Sequence, residues 1–288
     1  MNSVPYLFLA DAVSRLKSLE NLKDLSGRWS VAACKEADSR ILCTFRLSAR
    51  GIYQFDCAPG GILNFEEVKK LNLKHLRISH IEIGCWSGYD RVGFHEFDTT
   101  SWQRLLSFAN RYFTCGHHLS VRNYDHFAYR KREMDILETI YGFNNAKELF
   151  VQFLKEANPE FLPHLLKNAH PEVLTLGMFC APHSVREVLE AWPESGIREV
   201  RIAESCINTD VYLLKHIYQL WKDGFFAARR FHAKFTCYKF CDLVTPLLGR
   251  PTVDGSDKEW HLRHPLRKTF QISQSDGKHG MRKIVISL

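Results

Sequence analysis

IREVRI (197–202) decides how the chain reads. Its apolar residues Ile197, Val200 and Ile202 are separated by two residues and then by one, with Arg201 between the last pair. A short strand with one buried face has this spacing, because successive side chains of a strand point to opposite sides. The same signature returns as LKHLRI (73–78), GHHLSV (116–121), AKELFV (146–151), PEVLTL (171–176) and ARRFHA (228–233), with the first apolar slot degraded in four of the six. The central residues are Leu76, Leu119, Leu149, Leu174, Val200 and Phe231, at intervals of 43, 30, 25, 26 and 31, of which three or four fit a leucine-rich-type repeat.

Between these strands lie segments of helical period: TTSWQRLLSFANRYF (99–113), NPEFLPHLLKNA (158–169), APHSVREVLEAWPESG (181–196) and NTDVYLLKHIYQLWKDG (208–224). The last two carry candidate N-caps at Ser184 and at Asn208 or Thr209, with Gly196 and Gly224 just past their ends. A strand–helix unit of this size cannot cover its own apolar face, so neighbours are expected to stack, with a parallel sheet on one side and helices on the other. The competing reading is a compact α/β domain whose strands only imitate the repeat. Outside the repeat, RILCTFRLSARGIYQFDC (40–57) predicts a hairpin turning at residues 49–51. TFQISQSDGKHGMRKIVISL (269–288) predicts a second, turning near Asp276-Gly277. PTVDGSDKEWHLRHP (251–265), rich in breakers and charge, predicts an exposed loop.

Composition narrows the function classes. Of 288 residues, 45% are hydrophobic and 25% charged, which is ordinary globular usage, and no apolar run approaches the ~20 residues a membrane span needs. The start, MNSVPYLFLADAV, has no basic residue ahead of its apolar run and is interrupted by Asp11, unlike a secretory signal. Nine scattered cysteines without a CxxC pair point to reduced thiols in the cytoplasm or nucleus. The two ligand-like clusters, Cys115-Gly-His117-His118 and Cys237-x-x-x-Cys241, each lack the second pair of a closed zinc site, so neither metal nor cofactor is expected. No phosphate loop, dinucleotide fingerprint, nucleophile elbow or HExxH occurs, and the chain is expected not to be an enzyme. A net charge of +7 permits nucleic acid. Aromatic and basic residues alternate in RYFTCGHHLSVRNYDHFAYRKRE and ARRFHAKFTCYKF, but Phe231 and Phe235 fall on the buried phase of a predicted strand. RNA binding is therefore the weaker reading.

Residues 3–38 read as three short helices. Leu9, Ala12, Val13 and Leu16 line the first, Leu19, Leu22 and Leu25 the second, and Trp29, Ala32 and Ala33 open the third. Pro5 suits a first helical turn. About 36 residues are below the size that usually folds alone, so these helices must pack on the rest of the chain or on a partner.

Val4-Pro5, the leucines at 9, 16, 19, 22 and 25, and Arg28-Trp29 together resemble the F-box motif. The order of N-terminal helices, hairpin and irregular strand–helix units resembles the expanded nematode F-box-like families. Leu7 or Phe8 stands where that motif usually has an acidic residue. The resemblance implies an F-box-like helical module at 1–39 and a leucine-rich-like α/β recognition domain at 40–288. It further implies a noncatalytic adaptor that docks a Skp-type partner of a cullin–RING ubiquitin ligase through its N-terminal helices and selects a protein substrate with the remainder. The docking edge is expected at Val4, Pro5, Phe8 and Leu9, with Trp29 at the junction with the hairpin. The alternative is a leucine-rich-like interaction module without ligase docking.

The residues flanking the buried strand positions should line one open surface. Among them Arg77, Arg122, Arg201, Arg230, His232 and Lys234 are basic, with Glu148 and Glu199 as the acidic members. Arginine-rich lining suits carboxylate or phosphate, so an acidic or phosphorylated protein segment is the expected substrate.

Overall fold

In the computed structural model the chain is α/β. The residues described are 4–14, 16, 19–48, 51–84, 93–113, 118–122, 146–152, 166, 171–177, 182–205, 211–237, 240–264, 267–276 and 282–288. They fall into two compact units. The first covers residues 1–120 and 127–146, the second 121–126 and 147–288.

The first unit opens with helices α1 (Tyr6–Ser14), α2 (Glu20–Lys23) and α3 (Arg28–Ser39). They bury one small cluster: Leu9, Val13, Leu19, Ala32 and Ala33, with Val4, Tyr6, Leu22, Trp29 and Ala37 packed against it. Trp29, expected at the junction with the hairpin, packs half-buried against this helical cluster. Leu16 and Leu25, expected on apolar faces, are exposed.

Next come β1 (Ile41–Ser48), β2 (Ile52–Ala58), β3 (Gly61–Leu63), α4 (Phe65–Lys69), β4 (Leu76–Gly84), β5 (His95–Glu96) and α5 (Thr99–Tyr112). Strand β1 pairs antiparallel with β2 and parallel with β4, while β2 also pairs antiparallel with β3 and β5. Gly51, at φ 80°, takes the left-handed position at the end of the β1–β2 turn, where a side chain would be strained. Both longer connections start with built caps. Asn64 and Glu67 form a reciprocal capping box ahead of α4, and the Asp98 carboxylate accepts from the Ser101 N–H ahead of α5.

The sequence boundary expected at 39/40 is not where the compact units divide, and a buried polar cluster gives the reason. The Arg77 guanidinium, on β4, donates to the Ser14 carbonyl at the end of α1 (3.0 and 3.2 Å) and to the Lys74 and Leu76 carbonyls (both 2.7 Å). It also reaches the buried Glu36 carboxylate of α3 at 3.4 Å, as do Arg40 and His75. One β4 side chain thus ties α1 and α3 to the sheet. Strand β6 (His118–Arg122) runs across the chain division.

The second unit holds β7 (Glu148–Gln152), β8 (Val173–Leu176), α6 (Pro182–Ala191), β9 (Glu199–Ser205), α7 (Val211–Lys222), β10 (Arg230–Cys237) and α8 (Phe240–Leu248). It closes with β11 (Thr252–Asp254), β12 (Asp257–His264), β13 (Arg267–Asp276) and β14 (Arg282–Ser287). Strands β7, β8, β9 and β10 are parallel, and β14, β13, β12 and β11 continue antiparallel from β10. The repeat's central residues stand in one register line, Leu149–Leu174–Val200–Phe231, and all four are buried. Leu76 and Leu119 are buried likewise in the first unit.

Helices α6 and α7 bury Val185, Val188, Leu189, Leu214, Ile217 and Trp221. Trp192, fully buried, donates its indole N–H to the Ile197 carbonyl at 2.8 Å and meets Phe225, Phe226 and Phe231 at 5.1–6.0 Å between ring centroids.

Two expectations need correction here. The expected loop is a hairpin over 252–264: β11 and β12 turn through Gly255 at φ 59°, and Trp260 is buried. Gly255-Ser256 after Asp254 is a hairpin signal that outweighs the surrounding charge. Ser184 lies inside α6 rather than capping it. The candidate caps Asn208 and Thr209, the metal-like residues Cys115 and His117, and all of the helix at 158–169 except Leu166 lie outside the described residues.

Candidate functional site

On one side of β7–β10 every second side chain is buried, so the alternate residues form the other face in three rows. The parallel register fixes them. Glu148, Val173, Glu199 and Arg230 make the first row, and Phe150, Thr175, Arg201 and His232 the second. Gln152, Gly177 and Ala203 follow by the same alternation, and Lys234 follows His232 on β10 where the register against β9 shifts. The second and third rows enclose a groove of about 500 Å³, lined by Phe150, Gln152, Thr175, Gly177, Arg201, Ala203, His232 and Lys234 together with Ile202.

Among the described residues the lining contains two permanent cations and a histidine and no carboxylate. The carboxylates stand one row away, where the Glu199 side chain accepts from Arg201 Nε at 2.6 Å. That charge-assisted bond holds the Arg201 guanidinium above the usual arginine range and fixes its plane, while about half of the side chain stays exposed. His232 Nδ1 is 3.2 Å from the Ser287 hydroxyl on β14, which orients the imidazole.

Phe150 forms the apolar end of the groove, and the Arg122 guanidinium lies 5.4 Å from its ring centroid, within cation–π range. The floor depends on Gly177. A Cβ there would fall 2.8 Å from Phe150 Cζ and 3.1 Å from Gln152 Cβ, so any side chain would displace both.

Of the six basic residues expected on the open face, Arg201, His232 and Lys234 are brought together in the groove. Arg230 is exposed in the neighbouring row, and Arg122 meets Phe150. Arg77 is a correction: it is buried and spends its donors on Ser14, Lys74, Leu76 and Glu36, so it is part of the scaffold. Phe150 and Gln152 were missed by sequence reasoning, although the alternation that selects Leu149 and Val151 as core assigns both to the opposite face.

The second surface is on α1. Leu9, expected in the docking edge, is fully buried, as is Val13, because residues four apart share a helix face. Leu7 and Phe8 point away from that cluster and are 83% and 62% exposed, Pro5 is exposed and Val4 half-buried. Among the described residues no three His, Cys, Asp or Glu side chains gather as a metal site would require, and no helix is long and apolar enough to cross a membrane. No family model, curated protein or solved structure matches the chain.

Proposed function

We propose that the chain is a noncatalytic substrate-recognition adaptor of a cullin–RING ubiquitin ligase, acting in the cytoplasm or nucleus. Its F-box-like helices α1–α3 dock a Skp-type partner, and its leucine-rich-like sheet face selects a protein substrate. The docking edge, redrawn on the buried cluster, consists of Val4, Pro5, Leu7 and Phe8. The observation that carries the reading is that α1 turns Leu9 and Val13 inward while keeping Leu7 and Phe8, two large apolar side chains, outward. Adjacent exposed apolar residues on a short helix form an interaction edge rather than core. The basic groove supports the recognition half, since two cations with no carboxylate among the described lining residues complement an acidic or phosphorylated segment.

The test is co-purification of the full chain with a recombinant Skp-type adaptor. The wild type is expected to retain the adaptor, and Leu7→Asp with Phe8→Asp to lose it at unchanged thermal midpoint. Failure of the wild type to bind would sink the ligase reading. A second reading, an interaction module for anionic partners without ligase docking, rests on the groove alone and would then remain.

A further inference from the structure

We propose that Cys43 and Cys57 are a reversible dithiol–disulfide site, closed across the β1–β2 hairpin by a hydroperoxide. The proposal is independent of the adaptor reading. The two residues are direct partners in the antiparallel register, both are buried, and their sulfurs stand 2.8 Å apart. Direct partners in an antiparallel pair have Cα atoms about 4.5–5.5 Å apart, inside the roughly 4.4–6.8 Å a disulfide spans, so closure needs no strand movement. The next pair on the same face, Phe45 and Phe55, stacks at 4.7 Å and keeps that face of the hairpin aligned. The cysteines lie one residue before β2 stops at Ala58 and two after β1 starts at Ile41, with Cys57 also paired to Gly61 of β3 and Cys43 to Ile78 of β4. A small oxidant reaches these buried sulfurs through local opening of the sheet.

The pair also divides the chemical roles. In the neutral pair the Cys57 S–H donates to the Cys43 sulfur. Once Cys57 ionises, its thiolate accepts from the Cys43 S–H instead, and that bond lowers the Cys57 thiol against burial and the nearby Asp56 carboxylate. Cys43 is raised by the same hydrogen bond and by burial, and so keeps its proton. The Cys57 thiolate attacks one oxygen of hydrogen peroxide, the O–O bond breaks, and the products are Cys57 sulfenic acid and hydroxide, which takes the proton Cys57 released. The Cys43 sulfur then attacks the sulfenic sulfur. The S–S bond forms, the S–O bond breaks, and hydroxide leaves with the Cys43 proton as water. Two thiols and one peroxide become one disulfide and two waters, the sulfurs losing two electrons to the peroxide.

The experiment exposes the reduced full chain to hydrogen peroxide, quenches it in acid, alkylates the remaining thiols after denaturation, and maps cysteines by proteolysis and mass spectrometry. Cys34, exposed on α3, serves as the internal measure of oxidant exposure. The expected product is a peptide carrying Cys43 linked to one carrying Cys57, formed in most molecules and reopened by dithiothreitol. In the Cys43→Ser variant the link should vanish and Cys57 should be recovered as a sulfenic or sulfinic acid. The proposal is overturned if Cys43 and Cys57 are both still alkylated once Cys34 has been oxidised. It is equally overturned if either is linked chiefly to another cysteine, or if dithiothreitol leaves the link closed.

Discussion

The three N-terminal helices and the β7–β10 ladder bury apolar side chains by different means, and the contrast governs how far each can be read. In the ladder, position in a strand fixes the face, so Leu149, Leu174, Val200 and Phe231 form one buried line and their neighbours one open face. In the helices, a nine-residue α1 and a four-residue α2 leave the inward face to be settled by a handful of contacts. Leu9 goes in and Leu7 and Phe8 stay out. A period of two tolerates little ambiguity, whereas short helices tolerate a good deal.

The largest effect that separates the regions is expected at the tryptophans. Trp192→Ala in the ladder unit should cost ~3–5 kcal/mol in denaturant unfolding, since a fully buried indole and its four-ring cluster are lost. Trp192→Phe should also destabilise, by leaving the Ile197 carbonyl unpaired. Trp29 is the opposite case, because its buried indole N–H has no partner. Trp29→Phe should be neutral or slightly stabilising, and an equal loss at both sites would erase the distinction.

Arg77→Ala should cost less, ~1–3 kcal/mol, because it leaves the Ser14 carbonyl at the end of α1 without its donor, while the buried Glu36 carboxylate keeps Arg40 and His75. A loss confined to partner binding, with stability intact, would return Arg77 to a recognition role. On α1 itself, Leu9→Ala should cost ~2–5 kcal/mol while Phe8→Ala stays within about 0.5 kcal/mol. The reverse order would mean that the helix is rotated about its axis.

The smallest expected effect on stability, and a clear one on recognition, is in the groove. Arg201→Glu with Lys234→Glu should leave the unfolding midpoint nearly unchanged. It should abolish the salt sensitivity of partner binding, because exposed cations contribute little to folding and much to attracting an anion.

Strand existence, the buried ladder, both expected hairpins and three of the groove's basic residues were legible in the sequence, because each depends on alternation within a few residues. Arg77 was not, since its alternating position marks it for the open face and only the tertiary approach of Ser14 and Glu36 takes its donors. Alternation puts Gly177 in the open lining, but the reason a glycine stands there, the approach of Phe150 and Gln152 from β7, is a contact between strands that no local pattern records. The hairpin at 252–264 was hidden by its charge, although Gly255-Ser256 after Asp254 announces the turn.

The most direct test of the two-surface account is a reciprocal binding assay on the full chain, with a recombinant Skp-type adaptor as one probe and a phosphoserine-rich peptide as the other. Leu7→Asp with Phe8→Asp should weaken the adaptor at least about tenfold, equivalent to about 1.4 kcal/mol, and leave the peptide unaffected. Arg201→Glu with Lys234→Glu should do the converse. Loss of both ligands in either variant, or of neither in both, would contradict the account.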